Sequence, residues 1–311
     1  MAKIAFLFPG QGAQVVGMGK DIYENNEVAR TFFDEANASL DFDLKELVFN
    51  GPLEKLSLTE YTQPALVAVE IMLLKVLAEK DIKPDVVAGL SLGEYSALVA
   101  AGSLAPLTAV ELTRIRGQIM SSALPVGTTT MAAVLGMESD VLSTLCEEAN
   151  PLGIVEIANY NCPGQLVIGG HVDAVEKVSK LATENGARKV IPLNVSGAFH
   201  TSLLKEAGEK LRGELEKIQF KNLEIPVIFN KTADYQNEPI INLLEAQLSS
   251  AVKFQATIEL MIQDGVDTFI EVGPGRSLLG FIKKIDRRLA IYQVEDSSGI
   301  NELVEKLGGE K

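Results

Sequence analysis

Short apolar runs at 3–8, 84–90, 225–229, 267–272 and 289–294 alternate with stretches whose apolar residues recur at helical spacing, at about 61–80, 92–101, 106–123, 201–218, 254–264 and 299–307. Strands alternating with helices predict a parallel sheet covered by helices. Several of the runs stop in glycine turns, among them Phe8-Pro9-Gly10-Gln11-Gly12 and Glu271-Val272-Gly273-Pro274-Gly275. In open α/β sheets, binding sites gather at such carboxyl ends. Between 128 and 193 the rhythm changes to strand 128–135, helix 139–149, strands 154–159 and 165–169, helix 172–185 and strand 188–193. That is the β-α-β-β-α-β order of a ferredoxin-like unit. The expected organisation is therefore a small ferredoxin-like subdomain at 125–198 inserted into a large subdomain made of 1–124 and 199–311, with turn residues Pro125, Gly127, Ser196 and Gly197 at the joints.

A chain of 311 residues can bury a sizeable core. The apolar start is too short for a signal peptide, and no uninterrupted apolar run reaches membrane length, so a soluble cytoplasmic protein is expected. Cys146 and Cys162 are the only cysteines, too few for a disulfide framework and without metal-ligand spacing; reduced thiols and no metal are expected. A net charge of −14 argues against nucleic-acid and anionic-membrane partners, which need a cationic footprint. One local exception is the stretch 276–288, which carries Arg276, Lys283, Lys284, Arg287 and Arg288. It reads equally as a patch for an acidic partner or as a solvated helix face.

The chemistry concentrates at two places. Pro84-Asp85-Val86-Val87-Ala88-Gly89-Leu90-Ser91-Leu92-Gly93-Glu94 runs an apolar strand through Gly-x-Ser-x-Gly into a helix, the nucleophile-elbow pattern of α/β-hydrolase-like sheets. In that turn Ser91 is pushed outward, glycines allow strand and helix to cross closely, and the Leu92 amide at the helix start points where an oxyanion would form. A plain glycine-bracketed turn is the bland alternative. Ser91 needs a base, and the chain has two histidines, His171 and His200. His171 follows Gly169-Gly170 at a helix start and reads as a helix-start residue. His200, in Ser196-Gly197-Ala198-Phe199-His200 at the hinge of the small unit, can face the elbow across a cleft and is the better base. No third acidic member is evident between them, which favours a Ser-His dyad. The turn Gly10-Gln11-Gly12 fits a dinucleotide fingerprint poorly, because Val15 stands at the third glycine position. A second oxyanion donor from the Gln11 amide explains that turn better. Arg116, on a largely apolar helix, either snorkels to solvent or reaches a buried anion, with Arg114 on the other face as the control.

Taken with Thr62-Gln63-Pro64-Ala65, Met120, Ala158-Asn159-Tyr160-Asn161 and Pro163-Gly164-Gln165, these motifs make the chain resemble malonyl-CoA:acyl carrier protein transacylases over essentially its whole length. The resemblance implies an α/β-hydrolase-like parallel sheet with an inserted ferredoxin-like subdomain. It implies Ser91 as the acylated nucleophile, His200 as its base, the Gln11 and Leu92 amides as oxyanion hole, and Arg116 as partner of the malonyl carboxylate. Gln63, Asn159 and Gln247 look like supporting pocket residues, Phe199 like the bulky residue that excludes an α-methyl branch, and the backbone near Asn230 like the support of His200. Two departures stand out: Leu90 where the family usually has histidine, and Gly197 where malonyl-selective relatives often have histidine.

The implied activity is transfer of malonyl from malonyl-CoA to the phosphopantetheine thiol of acyl carrier protein, in support of fatty acid synthesis. Coenzyme A and phosphopantetheine thioesters are then substrates, no cofactor is needed, and a monomer docks the carrier protein through Lys283, Lys284, Arg287 and Arg288. The alternatives are a serine thioesterase or esterase, a related acyltransferase using another acyl-CoA in polyketide synthesis, or a non-catalytic acyl-binding scaffold.

Overall fold

The computed structural model describes residues 2–195 and 197–308. Ser196, expected at a joint of the small subdomain, lies outside the described residues. The strands are β1 Ile4–Phe8, β2 Val86–Gly89, β3 Thr129–Leu135, β4 Val155–Cys162, β5 Gln165–His171, β6 Lys189–Leu193, β7 Ile228–Phe229, β8 Asp234–Tyr235, β9 Thr268–Val272 and β10 Ala290–Val294. The larger sheet has the order β10-β9-β1-β2 and is parallel at every pairing. Its strands carry Ala5, Leu7, Phe8, Val87, Ala88 and Ile270 fully buried, as expected where helices cover both faces. Phe8 pairs with Gly89, and Leu7 with Glu271. This register brings the turns after β1, β2 and β9 to one edge, and that edge positions the site.

The apolar run at 225–229 does not make a full strand. It contributes a single parallel bridge, Val87 with Val227, and the short β7 pairs instead with β8. Pro226 is the reason: it has no N–H for the ladder, although its carbonyl accepts the Val87 amide at 3.0 Å.

The second sheet has the order β4-β5-β3-β6, antiparallel throughout, which is the ferredoxin-like arrangement. Helices Ser139–Ala149 and Val172–Glu184 cover one face through Leu142, Leu145, Val175 and Val178. His171 sits at the start of the second of these helices. The opposite face joins the main core through Met131, Ala158 and Val167. Reciprocal backbone bonds of 2.9 Å, Tyr160 to Val252 and Val252 to Ala158, stitch the two parts together.

At the centre lies helix Thr59–Glu79, packed against helix Pro106–Ser121. By length and composition alone it could span a bilayer, but Glu70 and Lys75 interrupt its apolar run and 78% of its most apolar window is buried inside the protein. Pro64 lacks the N–H that would bond the Glu60 carbonyl, and Arg114 Nη1 donates to that carbonyl at 2.7 Å. Helices Lys20–Asn25, Leu44–Asn50 and Ile240–Gln247 lie outside the stretches that the periodicity marked, while Ser277–Ile285 is the helix offered as one reading of 276–288.

Candidate active site

At the elbow, backbone meets backbone. A Cβ on Gly89 would lie 1.9 Å from the Gly93 carbonyl carbon, and one on Gly93 would lie 2.1 Å from the Phe8 carbonyl oxygen. Only glycine at both positions allows helix Gly93–Ala100 to leave the sheet this closely. Ser91 between them is held at φ 52°, a left-handed conformation that costs a non-glycine residue on the order of 1 kcal/mol. The turn is fixed from both sides. Ser91 N–H donates to Asn230 Oδ1 at 2.6 Å, and the Ser91 carbonyl accepts from Gln247 Nε2 at 2.9 Å.

His200 Nε2 lies 2.7 Å from Ser91 Oγ, and His200 Nδ1 lies 2.8 Å from the Gln247 backbone carbonyl. A carbonyl can only accept, so Nδ1 carries the proton and Nε2 presents a lone pair to the serine hydroxyl. The support of His200 is therefore the carbonyl of Gln247, and not the backbone near Asn230 as the resemblance implied; the Asn230 side chain is committed to Ser91 N–H and to the Gly89 carbonyl at 2.6 Å. Burial drives the imidazole pKa down to about 4 against the bond from the Gln247 carbonyl, and the Arg116 cation lowers it further. His200 also has a left-handed φ, 63°.

Arg116 is 1% exposed, which settles its position: it does not snorkel. Nη1 donates to Gln63 Oε1 at 2.9 Å, and Nη2 donates to Gln247 Oε1 at 2.8 Å and to Ser91 Oγ at 3.2 Å. The Tyr95 ring centroid is 5.3 Å from the guanidinium carbon. Burial lowers its pKa, opposed by Tyr95 and Glu94, yet arginine stays charged under all ordinary conditions. Among the described residues no carboxylate forms an ion pair with it. A buried cation solvated only by neutral groups is a receptor for an anion. Arg114 behaves differently, pairing with exposed Asp41 and lying over Phe42 and Tyr61.

Ser91, His200, Arg116 and Gln63 line a cavity of about 270 Å³ at the seam of the two subdomains, whereas Gln247, expected as a pocket residue, supports them without reaching its wall. Gln11 and Leu92 lie on its wall, and among the described residues neither backbone N–H has a protein acceptor. The Gln11 side chain anchors its turn by donating to Thr59 Oγ1 at 3.0 Å. Gln63 donates an amide hydrogen to Met120 Sδ at 3.4 Å, which fixes its oxygen toward Arg116. Asn159 lines the cavity from the small subdomain, and Phe199 lines it from the hinge where the chain returns to the large one. Leu90 is on the wall as well, and none of the dyad's bonds passes through it.

Sequence reasoning singled out neither Asn161 nor Glu94. Asn161 lines the cavity with its Oδ1 buried and without a partner among the described residues; its spacing of two from Asn159 on a strand was the available signal. Glu94 is fully buried, accepting from the Asn230 backbone N–H and from Gln247 Nε2. Burial pushes its pKa up to about 8, against those two donors and the Arg116 charge; because each oxygen faces an N–H donor, an acid proton on either would meet a donor, and the geometry is that of a carboxylate. The wall opposite the dyad is helix Ser277–Ile285, contributing Leu278 and Phe281, with Glu271 accepting the Leu279 N–H at 3.0 Å at its first turn. The four basic residues at and beyond its end are all exposed; Lys284 donates to Gln165 at 2.9 Å, and Arg288 pairs with Asp286.

Residues 5–289 match the acyl transferase domain family. The malonyl CoA-acyl carrier protein transacylase of Bacillus subtilis (strain 168) is 47% identical over 310 residues, covering 99% of this chain and 98% of that protein. The crystal structure of the malonyl CoA-acyl carrier protein transacylase from Clostridium perfringens superposes with a TM-score of 0.95 at 42% identity, covering 99% of this chain and 98% of that one. A malonyl-transacylase in complex with a type II PKS acyl-carrier protein superposes equally well, TM-score 0.95 at 37% identity over 98% of this chain and 100% of that one.

Proposed function

The chain belongs to the acyl transferase family, and we infer from that membership and the geometry around Ser91 that it transfers malonyl from malonyl-CoA to the phosphopantetheine thiol of acyl carrier protein, supplying fatty acid synthesis. One observation carries the reading: a hydroxyl 2.7 Å from a neutral imidazole is also 3.2 Å from a buried guanidinium with no ion-pair partner among the described residues. The first contact makes a nucleophile; the second makes a receptor for an acyl group that ends in a carboxylate.

His200 Nε2 takes the Ser91 Oγ proton as Oγ attacks the thioester carbonyl carbon. The oxyanion accepts from the Gln11 and Leu92 amides, the second at the positive end of helix Gly93–Ala100. As the C–S bond breaks, the proton passes from His200 to the departing sulfur, leaving a malonyl-serine ester and free coenzyme A. The phosphopantetheine thiol then enters, His200 takes its proton, and the same steps run in reverse. The far carboxylate of the acyl group sits one methylene beyond the ester carbonyl, within reach of the Arg116 fork, which Gln63 and Gln247 hold in place. That pairing keeps the ester from presenting its carbonyl to water. Phe199 narrows the pocket where an α-methyl branch would project.

The direct test supplies malonyl-CoA with and without holo carrier protein and follows both products. Malonyl-carrier thioester in large excess over free malonate is expected; free malonate as the main product with the carrier present would make the protein a thioesterase.

His200 sets the pH dependence. Its folded pKa is depressed, so the neutral base persists below the ordinary imidazole value, and kcat/KM for malonyl-CoA is expected to hold from pH 7 to below 6 and to fall only toward about 4. Stability follows the same sign: between the ordinary value and about 4 the unfolded chain binds a proton that the buried ring refuses, so stability is lost as pH falls through that window. An acid limb centred near 6.5 would count against His200 as the free-enzyme base.

Docking of the acidic carrier protein is assigned to the exposed end of helix Ser277–Ile285, beside the cavity wall formed by Phe281. Lys283 and Arg287 are the better contributors, since Asp286 neutralises Arg288 and Gln165 engages Lys284. The double variant Lys283→Glu with Arg287→Glu should raise the KM for carrier protein about tenfold at low salt and leave malonyl-CoA hydrolysis unchanged. An unchanged KM would place docking on another face.

A further inference from the structure

We propose that Glu94 is a positioning residue for the acyl-carboxylate receptor: its carboxylate sets the Gln247 amide so that Gln247 presents its oxygen to Arg116 and its nitrogen to the nucleophile turn. The proposal rests on the malonyl-transfer reading, since the selectivity of Arg116 is what Glu94 would serve.

Glu94 follows the elbow directly and is wholly buried, yet among the described residues it makes no hydrogen bond with Ser91 Oγ or with His200. Every one of its partners does touch the reacting centre. Asn230, whose backbone N–H it accepts, receives the Ser91 N–H on its side chain and donates to the Gly89 carbonyl. Gln247, whose Nε2 it accepts, uses that same nitrogen on the Ser91 carbonyl, its Oε1 on Arg116 Nη2, and its backbone carbonyl on His200 Nδ1. A primary amide has two orientations. Here its two N–H groups face two acceptors, Ser91 O and Glu94, and its oxygen faces a donor, Arg116; the flipped form would aim its NH₂ at the Arg116 donor and its oxygen at both acceptors.

The residue type at 94 is dictated by the same accounting. Both of its neighbours donate, so only a group with an acceptor at each end satisfies them. A glutamine of identical shape would always turn its NH₂ toward Asn230 N–H or toward Gln247 Nε2. A buried donor facing a donor is costly, and the cheapest relief is rotation of the Gln247 amide, which carries the misfit to Arg116. The effect of Glu94 is thus exerted at a guanidinium it does not itself touch.

The test is a cycle of Glu94→Gln and Gln247→Ala, singly and together, in the full chain. Gln247→Ala keeps the backbone carbonyl that supports His200. Glu94→Gln should lower kcat/KM for malonyl-CoA about ten- to a hundredfold while acetyl-CoA transfer falls less than about threefold, with a thermal midpoint close to that of wild type. Added to Gln247→Ala, it should lower malonyl transfer by less than about threefold more, because the path through Gln247 is already gone. Equal losses for malonyl and acetyl, or losses that multiply in the double variant, would overturn the proposal. Should Glu94→Gln not fold, Glu94→Asp serves in its place: the shorter carboxylate stops short of Gln247, and the same selective, non-additive loss is expected. Wild-type protein run alongside separates the two readings, since failure of wild type to load malonyl would defeat the function itself, whereas normal wild-type transfer with a non-selective Glu94 variant would defeat only the positioning role.

Discussion

Ser91→Ala is expected to abolish acyl loading. Wild-type protein mixed with malonyl-CoA should gain one malonyl group in intact mass, located on the peptide that contains Ser91, whereas the alanine variant should gain none and lose about 10⁴-fold or more in transfer rate. The size of the effect follows from the arrangement. Oγ is the shared partner of His200 Nε2 and Arg116 Nη2, so its removal leaves a base without a proton to take and a receptor without an ester to hold. What remains is binding and the two amides, which cannot supply a covalent path. The fold should survive: alanine meets the same φ of 52° as serine does, and the turn's own bonds run through its backbone to Asn230 and Gln247. A malonyl increment on the variant equal to that of wild type would remove Ser91 from the mechanism.

Arg116→Ala should separate acyl groups by charge. Losing one side of a buried, hydrogen-bonded charge pair costs about 2–5 kcal/mol, so malonyl transfer should fall by roughly thirty- to several thousandfold. Acetyl, which has no second carboxylate to place, should fall less than about tenfold. Part of any common loss is structural, because Gln63 Oε1 and Gln247 Oε1 are left without their donor in a buried site. Arg116→Lys isolates the geometry from the charge: a lysine ammonium can sit near the carboxylate but cannot hold both glutamine oxygens and the acyl anion with a planar fork, so malonyl transfer should remain well below wild type. Parallel losses for malonyl and acetyl would take the selecting role away from Arg116.

Features encoded within a few neighbouring residues were legible in the sequence. The buried parallel strands announced themselves as apolar runs, the β-α-β-β-α-β order was readable because each piece is short and amphipathic, and Ser91 was readable because its glycine neighbours are a local steric demand. The strand at 225–229 was misread because apolar content outweighed Pro226, whose missing N–H limits it to a bridge. Arg116 could not be assigned from its own helix, which is largely apolar around it. Its burial is decided by helix Thr59–Glu79 packed alongside, and a step of two residues, roughly 200° of turn, sends Arg114 out to Asp41 instead. The holder of His200 was hidden for a similar reason. Gln247 and Asn230 both flank the elbow, but which one meets Nδ1 and which meets Ser91 N–H depends on where helix Ile240–Gln247 ends in space, and that helix carries too little periodicity to be recognised. Glu94 escaped notice because a carboxylate in the first turn of a helix usually faces water.

The two residues that exchange the proton are both held in left-handed backbone, Ser91 at φ 52° and His200 at φ 63°. A lineage selected only for heat tolerance would drift toward glycine at either place, relaxing the chain and silencing it in one step. Endurance and turnover thus compete at these same two positions, so efforts to toughen the protein belong on its periphery.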